Sequence, residues 1–205
     1  MKAEVIDKFA KSLGETAGSR FNAAKRLESH DRRLTWTTAL SSAYVIIITV
    51  LPYLIKIPAE VTSNLNLYTI TLSIVIIVSS LLQYSSNNLV NAEQHHRSAL
   101  EINEIKRELL TRGEELDIDQ FEMLRDRYNN VLQKYSVNHD NMDYYLYQIQ
   151  NREKYQFISN FSAVVTYIKI VVQNHYPSLI LPLITIFTFW LVFFYTYPSR
   201  IQTGM

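Results

Sequence analysis

The stretch Leu34–Ile55, LTWTTALSSAYVIIITVLPYLI, carries no formal charge, and reading it decides what kind of protein this is. As a helix, an apolar run of roughly 20 residues is long enough to cross the hydrocarbon core of a bilayer. Trp36 and Tyr53 lie near its two ends, where aromatic rings favour the membrane interface. A second charge-free run, Val61–Ala92, follows almost at once, and a third, Ile170–Ser199, holds nothing ionisable but His175 and tyrosines.

Around these runs the charge is dense. Residues 1–33 hold eight basic and five acidic side chains, and residues 91–155 hold nine basic and thirteen acidic. The net charge of +1 over 205 residues hides this segregation, which is a membrane-protein pattern. The apolar run begins only after a long charged segment, so a cleaved signal peptide is not expected and Leu34–Ile55 reads as a signal anchor. The chain has no cysteine, which removes disulfides, thiolate catalysis and zinc-thiolate sites.

The expected fold class is an all-α membrane protein of four parts. Residues 1–33 form an amphipathic N-terminal region, with Val5, Ile6, Phe9, Ala10 and Leu13 on one face and breaks expected at Gly14 and Gly18. This region either packs on the rest of the protein or lies on anionic headgroups, with Arg20, Lys25, Arg26, Arg32 and Arg33 as the membrane-surface basic residues. Residues 34–91 form a transmembrane hairpin with spans 34–55 and 67–89, its turn bracketed by Pro52 and Pro58. Residues 92–160 form a helical domain.

In that domain a helix with period Leu100, Ile102, Ile105, Leu109 is expected to run on directly from the second span and to end at Arg112–Gly113. Asp119 and Glu122 read as a capping box for the next helix, which carries Phe121, Leu124, Tyr128, Val131, Leu132 and Tyr135. A further helix is expected from Asn141 to Ile158. Residues 161–205 are hydrophobic, and the aromatic segment 178–197 is long enough to be a third span. In that case the tail Pro198–Met205 lies outside the cytoplasm.

Basic residues flank both outer ends of the hairpin, at Lys25, Arg26, Arg32 and Arg33 and again at Arg97, Lys106, Arg107 and Arg112. The linker offers Lys56 alone. Positive charge stays inside, so the hairpin ends and the helical domain are expected in the cytoplasm.

No phosphate-binding glycine loop, nucleophile elbow or HExxH helix is present, so neither an enzyme nor a cofactor is expected. His95 and His96 are adjacent and point about 100° apart on a helix, which does not suit a shared metal. His139, Asp140 and Asp143 are expected to cap a helix rather than to exchange protons. Basic residues of the domain alternate with acidic ones, so direct nucleic-acid binding is not expected. Each span carries a polar stripe. Thr35, Thr38, Ser42 and Thr49 form the first, and Thr69, Ser73, Ser80, Gln83 and Asn87 the second. Such stripes serve either helix packing or, in an oligomer, the wall of a water-filled pore.

Two segments carry a family resemblance: SRFNAAKRLESHDRRL, Ser19–Leu34, running straight into the first span, and YSVNHDNMDYY, Tyr135–Tyr145. Over residues 15–160 the chain resembles the SLATT proteins, two-transmembrane effectors associated with SMODS nucleotidyltransferases and SLOG proteins, and is most similar to those coupled to reverse transcriptases in retrons. Arg20 and Arg26 resemble the basic positions ahead of the first span. The resemblance implies a pore-forming toxin of bacterial antiviral defence, acting in abortive infection. Such a homo-oligomer permeabilises the inner membrane when a partner signals. That partner is a reverse transcriptase with its nucleic-acid product, or a nucleotidyltransferase signal. His139, Asp140, Asp143 and Tyr144 would then belong to the regulatory interface. A membrane-anchored helical adaptor or sensor without pore activity is the alternative.

Overall fold

The computed structural model describes residues 3–155 and 159–196. Among these the chain is mainly helical and has no strand. In order the elements are α1 (Ala3–Leu54), α2 (Ala59–Ser85), α3 (Asn88–Arg112), a 3₁₀ turn (Gly113–Glu115), α4 (Ile118–Lys134), α5 (Asn141–Gln150) and α6 (Asn160–Thr196). The chain divides into two compact units. Unit 1 is Met1–Ser29 with Asn88–Val172, and unit 2 is His30–Asn87 with Gln173–Met205. The hairpin is thus an insertion between the two sequence segments that build unit 1.

Unit 1 is a helical assembly around an apolar core. One face of α1, Ile6, Ala10, Leu13 and Ala17, meets Ile102, Ile105 and Leu109 of α3, and Phe121, Leu124 and Val131 of α4 close the cluster. Burying each large aliphatic side chain here contributes about 1.5–3 kcal/mol. Phe9 sits edge-on to both Phe121 and Tyr128, at 5.4 and 5.9 Å between ring centres. The amphipathic face of the N-terminal region is therefore packed inside the protein. Val5, expected on that face, is exposed.

Four local expectations are corrected. The helix does not break at Gly14 or Gly18; α1 runs unbroken to Leu54. Those glycines serve close approach instead: a Cβ at Gly18 would overlap the Tyr147 ring of α5. The second apolar helix does not run on into α3, because Asn87 adopts a positive φ of 50° between α2 and α3. Asparagine is among the few residues that tolerate this left-handed conformation. The N-cap of α4 is Asp117, whose carboxylate accepts the Gln120 N–H at 2.7 Å, two residues before the expected Asp119. The helix starting at Asn141 stops at Gln150 and gives way to turns. α3 does end at Arg112, where Gly113 takes φ +52°.

Unit 2 contains the hairpin. The linker is Ile55–Pro58, and α2 begins at Ala59, eight residues before the expected start of the second span. Pro58 is its N-cap residue, with φ −56°. α1 and α2 meet through Ile48, Leu65, Tyr68 and Leu72, with Tyr44, Val45, Val61 and Ile76 around them. Their other faces present Leu40, Ile46, Ile47, Leu67, Ile70, Ile74 and Ile77 outward, each more than half exposed. A continuous apolar surface of this extent is out of place in water and suits lipid. α1 and α2 both contain segments long and apolar enough to cross a membrane.

α6 is one helix whose first part belongs to unit 1 and whose remainder, from Gln173, belongs to unit 2. The Tyr68 hydroxyl donates to the Thr185 carbonyl at 3.1 Å, tying this C-terminal segment to α2. The tail Pro198–Met205, expected outside the cytoplasm, lies beyond the described residues.

Candidate functional site

The strongest concentration of buried polar groups lies in unit 1, where α1 faces the start of α3 and the segment around α5. Arg26 is its centre. Its Nε donates to Asp143 Oδ1 and its Nη2 to Asp143 Oδ2, both at 2.9 Å, a two-pronged pairing that fits the planar guanidinium. Nη2 also lies 2.9 Å from Asp140 Oδ2. Hydrogen bonding to Asp143 holds the Arg26 pKa above its ordinary value. Asp143 is only 1% exposed, and its Oδ2 also accepts the Asp140 N–H at 3.1 Å, so one carboxylate both starts α5 and pairs with α1.

Arg20, two turns earlier on α1, is buried as well. It donates to the Ser98 hydroxyl of α3 and, through Nη2, to the Val137 carbonyl at 3.3 Å. Asn22 Nδ2 donates to the Asp143 carbonyl at 3.1 Å and to Gln150 Oε1 at 3.2 Å. Buried His95 completes the group. Burial and, after it, the Arg20 charge depress its pKa to about 4, so the imidazole is neutral at pH 7. Its Nδ1 has no hydrogen-bond partner among the described residues. Burial lowers the His139 pKa also. His96 points elsewhere and packs edge-on against Phe21, 5.6 Å between ring centres.

Of the expected regulatory residues, Asp140 and Asp143 meet directly through Arg26, and His139 lies within their electrostatic reach. Tyr144 is half-buried, its ring tilted against Tyr145 at 6.3 Å. The guanidinium groups of Arg20 and Arg26 are spent on partners inside unit 1. The reason is the proximity of α5, which brings a buried carboxylate to α1. Lys25 is exposed, as is Arg32, while Arg33 is partly buried. Sequence reasoning missed Asn22, Ser98 and Gln150. Nothing in their local pattern marks them, since each partner lies on another element.

The hairpin treats its polar groups differently. Thr35, Ser42, Thr49, Ser73 and Ser80 each donate to the carbonyl four residues earlier in their own helix, and Thr69 to the carbonyl three earlier, at 2.7–3.0 Å. Thr69 is buried; Thr38, Ser42, Ser73, Ser80 and Gln83 are partly so; Thr35, Thr49 and Asn87 are exposed. Among the described residues, one side-chain hydrogen bond joins the two stripes, from Gln83 of α2 to Thr35 of α1. Gln83 Nε2 reaches the Asp31 carbonyl at 3.2 Å and Thr35 Oγ1 at 2.8 Å.

With the apolar hairpin inserted into a charged helical unit, one comparison is decisive. The model of the SMODS and SLOG-associating 2TM effector domain family 5 matches residues 2–191. The chain belongs to this family. The match covers α1 to most of α6, so in this SLATT chain the C-terminal apolar helix is part of the family domain and not an appendage. No curated protein and no solved structure matches the chain.

Proposed function

We propose that this SLATT protein is the membrane effector of a bacterial anti-phage system. In this reading it oligomerises and permeabilises the inner membrane when an upstream partner signals, arresting or killing the infected cell. The observation that carries the reading is the hairpin itself: two apolar helices with an unpartnered outer surface, inserted into a family effector domain. A two-helix hairpin cannot enclose a pore alone, so permeation requires several copies. No catalytic step is invoked. The trigger would come from a reverse transcriptase with its nucleic-acid product, as in retrons, or from a nucleotidyltransferase signal. The polar seam around Arg26 and Asp143 would be the element that the partner disturbs.

Two independent observations support the proposed topology. Unit 1 is built from residues on both sides of the hairpin, and a bilayer cannot divide a compact unit, which supports an even number of crossings between Ser29 and Asn88. Basic residues cluster at these outer ends, which favours the cytoplasm for unit 1. If Gln173–Thr196 spans as well, the C-terminus lies on the opposite side.

The alternative, a tethered adaptor without pore activity, draws on the hydroxyls of the hairpin, which bond their own helix carbonyls and need no water. Induced expression in bacteria carrying a potential-sensitive dye separates the two. Loss of potential within one doubling is expected, and replacing both spans by an unrelated hairpin abolishes it. Growth and potential unchanged at high expression, with the partner present and absent, would refute the effector reading; toxicity that survives the hairpin swap would favour the adaptor.

A further inference from the structure

A second feature of unit 1 lies apart from the polar seam. A cavity of about 360 Å³ opens beside α1, α3, α5 and the turns after it. Three lysines from three places in the chain line it: exposed Lys11 of α1, partly buried Lys106 of α3 and exposed Lys154 of the turns. None of the three forms an ion pair with a described residue. Nearby carboxylates on α3 are spent on other cations, Glu101 on Lys134 and Glu108 on Arg112 and Arg127. Asp7 is the one carboxylate in the wall, so three lysines against one aspartate leave a formal charge of +2.

The surroundings hold this arrangement in place. Gly14 faces Lys106: a Cβ there would lie 2.8 Å from Lys106 Nζ, so the missing side chain lets the ammonium rest across α1. Tyr155 is buried and donates its hydroxyl to Glu15 Oε1 at 2.5 Å, which pins the backbone next to Lys154. Lys11 Nζ lies 5.5 Å from the Tyr155 ring centre. Half-buried Tyr147 supplies an aromatic wall.

We infer that this cavity binds a phosphorylated organic anion of about mononucleotide size, its phosphate held by Lys11, Lys106 and Lys154 and its organic part against Tyr147. Lysines are compact charges that pair strongly with phosphate oxygens, and cations that line one cavity repel one another until an anion joins them. The volume falls at the lower end of the range for small-molecule sites, roughly 300–1,000 Å³. The inference goes beyond the effector reading and does not need a pore. Within that reading, the cavity is where a soluble chemical signal would reach the helical unit.

The test uses the full chain in phosphatidylcholine nanodiscs and follows the anisotropy of an ATP derivative labelled with N-methylanthraniloyl. Saturable binding displaced by unlabelled ATP is expected. Lys106→Gln should weaken it about tenfold, and Lys11→Gln, Lys106→Gln and Lys154→Gln combined should abolish it. Lys106→Arg should hold affinity within about threefold, and Lys8→Gln, outside the cavity, should change nothing. Circular dichroism at 222 nm checks that each variant is folded; if the triple variant is not, the Gln and Arg versions at position 106 carry the comparison. Short-chain phosphatidic acid displacing the probe better than ATP would keep the phosphate site and make its source a lipid headgroup. Equal binding by the triple variant, no saturable binding, or displacement by inorganic phosphate as effective as by ATP would overturn the inference. Leakage and toxicity are not read out, so this result is separate from the fate of the effector reading.

Discussion

The two units handle polar groups in opposite ways. In unit 1 the polar side chains reach across elements: Arg26 to Asp143, Arg20 to Ser98, Asn22 to Gln150. In the hairpin the hydroxyls reach back into their own helices, and the Gln83–Thr35 pair bonds across the two stripes. Cross-element pairs are directional and buried, so they select one arrangement of α1, α3 and α5. Locally satisfied hydroxyls select none, because they are equally content whatever helix lies alongside. The contrast separates a unit whose arrangement is fixed by cross-element pairs from a hairpin whose hydroxyls leave helix packing open.

Removing one side of the ion pair is the hardest test of that contrast. Arg26→Ala strands the carboxylate of Asp143, and the expected loss of stability is about 3–5 kcal/mol, read by chemical denaturation in detergent micelles. The double variant Arg26→Met with Asp143→Leu should recover much of this, because no charge is then left buried. If Arg26→Ala costs no more than an exposed substitution, the seam does not specify unit 1.

The next effect is on pH. His95 has a pKa of about 4 in the fold against 6.5 when unfolded. Above 6.5 neither state is protonated and the residue is neutral in its effect. Between 6.5 and 4 the unfolded state takes up the proton first, so stability falls as pH falls, by up to about 3 kcal/mol, and levels off below 4. Thermal melts of the parent and of His95→Leu from pH 7.5 to 4.5 should diverge in this window, with the parent losing more. Parallel curves would mean that the imidazole is solvated.

The smallest effects belong to the hairpin. Gln83→Leu should cost about 0.6–1.7 kcal/mol, the range of single hydrogen bonds between membrane helices, and Ser73→Ala less than about 0.5 kcal/mol. Steric trapping in bicelles measures both. A loss above about 2 kcal/mol at Ser73 would show that this hydroxyl acts between helices, and the contrast between the units would collapse.

Much of this was legible in the chain because its cause is local. Apolar length marked the spans, 3.6-residue periodicity marked the core faces of α1, α3 and α4, and Gly113 marked the end of α3. The errors also have local causes. Local propensity reads Gly14 and Gly18 as helix breakers, whereas α1 is held by tertiary packing and uses them for contact with Lys106 and Tyr147. Asn87 carries no strong turn signal in the sequence, yet its backbone is left-handed.

By itself the sequence determined that the protein is helical, that a hairpin of apolar helices interrupts a charged domain, and that positive charge flanks the hairpin, because length, period and charge are properties of neighbouring residues. Only the tertiary structure decided that residues 1–29 belong with α3 to α5, that Arg20 and Arg26 pair with groups inside unit 1, and that three distant lysines share one cavity. Those outcomes depend on which segments meet, and burial against a partner far along the chain leaves no mark in the pattern of either segment alone.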